Sequence, residues 1–244
     1  MATFVLIHGA WHGGWCWKKV TPLLRAAGHD VYTPTLTGLG ERAHLLSPAV
    51  DLACHVQDVV NVLEYEDLRQ VVLVGHSYAG MVITGVADRV PERVTHLVYF
   101  DASVPRSGES MLDMRTPENR AEREERVRTK GDGWKLPVDE SSFEQWQISD
   151  PTDVAWLRAR LTPHPFKTWQ QPLNFSSTRV EQIPRTFIFC TEPGGKTPGV
   201  AVQRALAQPG WRYRELPTAH DAMVTCPLGL TSLFLEVAQG ASVH

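Results

Sequence analysis

A serine, a histidine and a carboxylate, spread through this 244-residue chain, are of the types that acyl transfer needs. Ser77 lies in the run Val71-Val72-Leu73-Val74-Gly75-His76-Ser77-Tyr78-Ala79-Gly80, and His220 in Pro217-Thr218-Ala219-His220-Asp221-Ala222-Met223. A serine hydroxyl attacks poorly until a base removes its proton, and the base must titrate near neutrality, which selects histidine. A carboxylate then holds the imidazole in its working tautomer and stabilises the imidazolium. Asp101 closes the apolar run Thr95 to Phe100. That places a carboxylate at the carboxyl end of a strand, the edge on which open α/β sheets carry their chemistry.

The neighbours of Ser77 support the same chemistry. Four branched apolar residues in a row suit a strand covered on both faces, as in a parallel sheet. A nucleophile elbow needs small residues around its serine, because strand and helix almost touch there. Gly75 and Ala79-Gly80 meet that need, with Ala79 one Cβ larger than the usual glycine. The helical-looking Met81 to Ala87 follows. A second small-residue loop, His8-Gly9-Ala10-Trp11-His12-Gly13-Gly14, comes straight after the strand Phe4 to Ile7. It lacks G-x-G-x-x-G and a following Gly-Lys-Ser/Thr, so a phosphate cradle is not expected. An oxyanion hole is: the amides of Ala10 and of Tyr78, the residue after the nucleophile, would supply its two donors.

The elements that must position these groups alternate between strand and helix. A helix over Cys16 to Ala27 stops at Gly28, Asp30 to Pro34 reads as a strand, and Leu36 to Arg42 as a solvated loop. Asp51 to Tyr65 carries Leu52, Val56, Val59, Val60 and Leu63 at helical spacing. After the elbow come the strand Thr95 to Phe100, a strand from Arg185 to Glu192, a loop from Pro193 to Gly199, a helix near Val200 to Ala207, a last strand Tyr213 to Leu216, and a helix from Leu228 to Ala238. This alternation predicts a doubly wound, mostly parallel α/β sheet.

From 106 to 178 the alternation breaks down, which predicts an inserted, mostly helical cap between core segments 1–105 and 179–244. Glu118 to Lys130 is dense in charge, with Glu122–Arg126 and Glu124–Arg128 at i,i+4, and reads as a solvated helix face. Trp134, Phe143, Trp146, Trp156, Phe166 and Trp169 follow. They are expected to divide between the walls of a substrate pocket and a small core of the cap's own.

Composition narrows the function classes. The chain is 43% apolar and 21% charged, as soluble globular proteins are, and its net charge of −3 argues against a nucleic-acid partner. No apolar run approaches the roughly eighteen residues of a membrane span. Thr3-Phe4-Val5-Leu6-Ile7 follows the N-terminus without a charged region or cleavage site, so a cytoplasmic location is expected. Cys16, Cys54, Cys190 and Cys226 are scattered and read as reduced thiols, and the ten histidines show no metal-ligand spacing.

HGAWHGGWCW, PLLRAAGHDV, GHSYAG, IFCTE and AHDAMVTCP together resemble the plant methylesterase and hydroxynitrile-lyase group of α/β-hydrolases, and bacterial carboxylesterases of the same build more closely still. The resemblance covers most of the chain and is weakest across the cap. It implies an α/β-hydrolase fold and a cofactor-free Ser-His-acid enzyme, with Ser77 and His220 in matching positions and Ala10 and Tyr78 as oxyanion donors. In the plant group an aspartate follows the strand that ends here in Cys190-Thr191-Glu192, and Pro193 stands in its place. Glu192 and Asp101 are the two replacements; Asp101 is preferred because Pro193 turns the chain away and displaces Glu192. The lyases carry threonine, glutamate and lysine where this chain has Gly9, His76 and Asp221, and Asp221 would repel a departing cyanide.

The expected function is therefore a carboxylesterase acting on a small or medium apolar ester through an acyl-enzyme. Its partner is that small molecule, with neither nucleic acid nor membrane, and a homodimer is compatible with the chain. The rivals are a lyase or acyltransferase on the same site, and a catalytically weak, receptor-like protein that keeps the pocket.

Overall fold

In a parallel sheet covered on both sides, alternate residues of each strand feed two separate cores. The computed structural model, which describes residues 1–191 and 199–241, shows this directly. The first half of the chain forms β1 (Thr3–Ile7), α1 (Thr21–Ala26), β2 (Asp30–Tyr32), α2 (Leu52–Tyr65), β3 (Val71–His76), α3 (Ala79–Arg89) and β4 (Val94–Phe100). Next come α4 (Pro117–Lys130), β5 (Lys135–Leu136), α5 (Ser141–Gln145), α6 (Pro151–Arg158), β6 (His164–Pro165), α7 (Lys167–Gln170) and α8 (Ser177–Glu181). The chain then returns through β7 (Arg185–Cys190), α9 (Val200–Ala207), β8 (Trp211–Leu216), α10 (Ala222–Thr225) and α11 (Pro227–Ala241). Val5, Ile7, Val71, Leu73, Leu97, Tyr99, Phe187 and Phe189 pack with α2, α3 and α9 on one face. Phe4, Leu6, Val72, Val74, Val98, Phe100, Ile188 and Cys190 pack with α1 and α11 on the other.

Among the described residues, six strands form the sheet in the order β2-β1-β3-β4-β7-β8, every neighbouring pair parallel. The order reverses between β1 and β3, and such a switch point opens a crevice at the carboxyl ends of those two strands. Both small-residue loops, after Ile7 and after His76, begin there. Among the described residues no helix is long and apolar enough to cross a membrane.

The differences from the sequence reading are local. A 3-10 turn over Gly14–Lys19 precedes α1, so the segment after residue 16 is two pieces rather than one helix. β2 ends at Tyr32, and β8 begins at Trp211, where Arg185 and Trp211 are in register. Leu36 and Leu39 in the supposed solvated loop are fully buried. The segment expected as a cap makes no core of its own. Leu136, Phe166 and Trp169 join the cluster of α2 and α3, while Phe143, Ile148 and Leu157 join that of α11. Its buried apolar side chains complete the two sheet cores instead.

Candidate active site

Ser77 has a φ of 54°, left-handed for a residue with a Cβ, at a cost of about 1–3 kcal/mol. Three backbone hydrogen bonds hold it there. Its N–H donates to the Phe100 carbonyl at 3.2 Å, and its own carbonyl accepts from Gly80 at 3.2 Å and Ser103 at 2.9 Å. The small neighbours are required by contact: a Cβ on Gly75 would lie 2.7 Å from the Ala79 carbonyl oxygen, and one on Gly80 1.9 Å from that of Ser103. The elbow is thus a strained turn held from the end of β4, the loop that follows it and the start of α3.

Asp101 also sits at positive φ, 40°, with its N–H donating to the Ile188 carbonyl at 2.7 Å. Its Oδ2 accepts from Nδ1–H of His220 at 2.5 Å, and both side chains are largely buried. That leaves Nε2 of His220 as the atom able to take a proton. Ser77, Asp101 and His220 border one cavity of about 450 Å³, together with Trp11, Trp146 and Trp169. The Ser77 hydroxyl makes no hydrogen bond to His220 or to another described residue; in unliganded sites that contact commonly tightens only when substrate is bound. Glu192 and Pro193 lie outside the described residues.

His220 is held at its backbone by the cap and by β3. Its N–H donates to the Trp146 carbonyl at 3.1 Å, and its carbonyl accepts from Nε2–H of His76 at 3.1 Å. Burial, with the nearby His220 next, keeps His76 neutral by pushing its pKa well below the usual histidine range. Asp221 does not face the cavity. It is fully buried, and its Oδ2 lies 3.0 Å from Nε2 of His12. This corrects the expectation that Asp221 repels an anion at the site.

His12 donates from both ring nitrogens, since Nδ1 meets the Ala10 carbonyl at 2.7 Å and Nε2 meets the Asp221 carboxylate. Burial alone would lower its pKa, but the Asp221 charge outweighs that and the net shift is upward. The Asp221 carboxyl is correspondingly held well below its usual range: burial opposes this, and the charge of His12 overcomes it. The pair therefore braces the loop of Ala10 against the loop of His220. Among the described residues neither the Ala10 nor the Tyr78 amide donates to a protein acceptor. Two N–H groups are thus left without an acceptor, one in the loop after β1 and one on the residue after the serine. The Tyr78 side chain is fully buried, its hydroxyl donating to Nδ1 of His55 at 3.0 Å.

Among the described residues, one group of three could offer ligand atoms to a metal: His76, His220 and Asp221. All three are already engaged, with the His220 carbonyl, with Asp101 and with His12 respectively.

Of the six cap aromatics, Trp146 and Trp169 line the cavity. Phe143 and Phe166 are core, and Trp156 packs edge-on to Trp15 at 5.1 Å. Trp11, outside the cap, joins the wall, its ring 5.6 Å from that of Trp146 and 5.8 Å from that of Trp169. The charged helix α4 is not solvated throughout. Glu122 does pair with Arg126, but Arg128 pairs with Glu125, Glu124 with Arg120, and Arg123 and Arg126 border the cavity.

Known proteins resemble the chain along nearly its full length. The alpha/beta hydrolase family model matches residues 4–231. A carbendazim hydrolyzing esterase from Nocardioides sp. (strain SG-4G) is 38% identical over 235 residues, 93% of this chain and 96% of that protein. Salicylic acid-binding protein 2 of Nicotiana tabacum is 27% identical over 266 residues, 96% of each chain. The solved structure of an extracellular alpha/beta-hydrolase from a Paenibacillus species matches with a TM-score of 0.87 at 25% identity, over 97% of this chain and 98% of that one.

Proposed function

The chain belongs to the alpha/beta hydrolase family, and from that membership we propose that it is a carboxylesterase whose triad is Ser77, His220 and Asp101. The observation that carries the proposal is the 2.5 Å bond from His220 to Asp101 on the wall of the cavity that Ser77 also borders. His220 takes the Ser77 proton at Nε2 as Oγ bonds to the ester carbonyl carbon. Asp101 stabilises the imidazolium that forms. The carbonyl oxygen becomes an oxyanion, which the Ala10 and Tyr78 amides bind. The bond to the alkoxy group then breaks, and the leaving oxygen takes the proton from His220. Water, activated by the same imidazole, cleaves the acyl-enzyme to a carboxylic acid and regenerates Ser77.

The substrate is a small or medium carboxylic ester, sized to the cavity and set against Trp11, Trp146 and Trp169. Esterase activity in the Nocardioides relative supports this class of reaction. The receptor-like alternative drew on the missing aspartate at 193, and Asp101 supplies a carboxylate in its stead. Hydrolysis of p-nitrophenyl butyrate tests the proposal: Ser77→Ala is expected to lower kcat by roughly a thousandfold or more. Equal rates for wild type and Ser77→Ala would remove the enzyme reading.

A further inference from the structure

The cavity wall opposite in character to the tryptophans is cationic. Arg115, Arg123 and Arg126 border it, against one described carboxylate, Asp101, which His220 already occupies. Arg126 is committed to Glu122, one turn earlier on α4. Arg123 donates to the Asn119 carbonyl at 3.1 Å and lies 3.6 Å from Glu122. Arg115 has no such partner among the described residues. Its Nη2 lies 3.9 Å from the Met111 thioether, a weak acceptor, and its Nε is shut off from solvent with no acceptor at all.

Arg115 as a whole is only part-buried, but a guanidinium whose Nε is cut off from solvent and which lacks a carboxylate is costly, and a second cation beside it adds to the cost. Burial first, and then Arg123, draw the Arg115 pKa down to about 10. The Trp169 ring, which both guanidinium carbons approach to 5.4 Å, offsets part of this through its π face. A ring contact satisfies no N–H, however. Two planar forks converging on one indole at the edge of a cavity have the donors that a carboxylate accepts in bidentate fashion.

We propose that Arg115 and Arg123 bind a carboxylate carried by the substrate, so that the preferred ester is the half-ester of a dicarboxylic acid. The inference rests on the esterase reading for the ester end and on the guanidinium pair for the acid end. The apolar chain between them lies along Trp169 and Trp146, and the ester carbonyl reaches Ser77. Without the arginines an anionic substrate would be disfavoured, because its charge would lose water in an aromatic cavity.

The test compares monomethyl and dimethyl glutarate as substrates. Wild type is expected to favour the half-ester in kcat/KM by about tenfold to a hundredfold, as charge-assisted hydrogen bonds do. In Arg115→Met the ratio of half-ester to diester falls below one, through a raised KM, and Arg115→Lys restores part of it. Saturable quenching of tryptophan fluorescence by glutarate reads the same site without turnover, and it weakens in Arg123→Gln should Arg115→Met fail to fold. A wild-type preference for the diester, or a ratio unchanged by Arg115→Met, overturns the anion site while leaving the esterase intact. Loss of p-nitrophenyl butyrate hydrolysis as well as of both esters strikes the esterase reading, and glutarate binding then decides the anion site alone.

Discussion

Nε2 of His12 lies 3.0 Å from Oδ2 of Asp221, in a pair almost wholly shielded from solvent. One partner leads from the loop that carries the Ala10 amide, and the other directly follows His220. A single buried charge pair therefore sets the distance between the proposed oxyanion donor and the proposed base. Breaking such a pair from one side leaves an uncompensated charge in the interior, at a cost of about 3–5 kcal/mol. His12→Ala and Asp221→Ala are each expected to lose stability of that order in urea unfolding, and to lower kcat in the fraction that stays folded. Replacing both by apolar residues should cost less than either single change, which a double-mutant cycle measures.

The same pair predicts a stability plateau. The His12 pKa is raised from 6.5, so its contribution is complete below that value and is lost as pH rises through the higher folded pKa. The Asp221 pKa is lowered from 3.8, so its contribution is complete above that value and is lost as pH falls through the lower folded one. Comparing unfolding midpoints of wild type and Asp221→Ala across pH should show the largest difference between about pH 4 and 6.5.

Five other buried histidines oppose acid. His8 is pushed down from 6.5 to about 3 and His55 and His96 each to about 4, and His76 and His164 fall well below the usual range, burial being the largest cause in each. Each is neutral when folded and protonates on unfolding below pH 6.5, so each removes stability as pH falls from there toward its folded pKa. The limiting slope is about 1.4 kcal/mol per pH unit for each such group. Urea midpoints measured from pH 7 to pH 5 are expected to drop steeply, with more than one proton taken up on unfolding. A flat profile would contradict the neutral states assigned to these rings.

The proposed acid is separable from its rival by substitution. Asp101→Asn preserves shape but removes the charge facing Nδ1 of His220, and a loss of roughly ten-thousandfold in kcat is the expected scale. Glu192→Gln should leave turnover within a few-fold of wild type. Steady-state kinetics on p-nitrophenyl butyrate check both.

Gly9 offers a steric test. A Cβ there would stand 2.9 Å from Nδ1 of His76 and 3.1 Å from Cβ of Ser77, so one of two fixed side chains has to shift. Gly9→Ala is expected to fold and to lose at least tenfold in kcat, with little change in the far-ultraviolet spectrum. Wild-type turnover in that variant would mean that the loop after β1 adjusts freely.

How much of this was legible in the chain follows from how local each signal is. The elbow at Ser77 was readable because a strand, a turn and a helix are specified by ten consecutive residues. His220 was readable because its place after the last strand follows from chain order. The preference for Asp101 over Glu192 rested on one proline, whereas the His220 contact is a matter of side-chain reach that spacing does not encode. Asp221 misled because a carboxylate beside a candidate base reads as facing the site, and only His12, distant in sequence, draws it inward. Arg123 and Arg126 were hidden because α4 is charged on all sides, so periodicity does not distinguish its cavity face from its solvent face. Arg115 lies just outside that helix, and only the position of Trp169 reveals its place.

The central claim, that Ser77 is the nucleophile and His220 its base, is tested most directly by labelling with a serine-directed p-nitrophenyl phosphonate and mapping the modified peptide by mass spectrometry. One phosphonyl group per chain on Ser77 is expected, with loss of ester hydrolysis in proportion and labelling slowed by orders of magnitude in His220→Ala. Labelling at another residue, or unchanged labelling of Ser77 in His220→Ala, would contradict it.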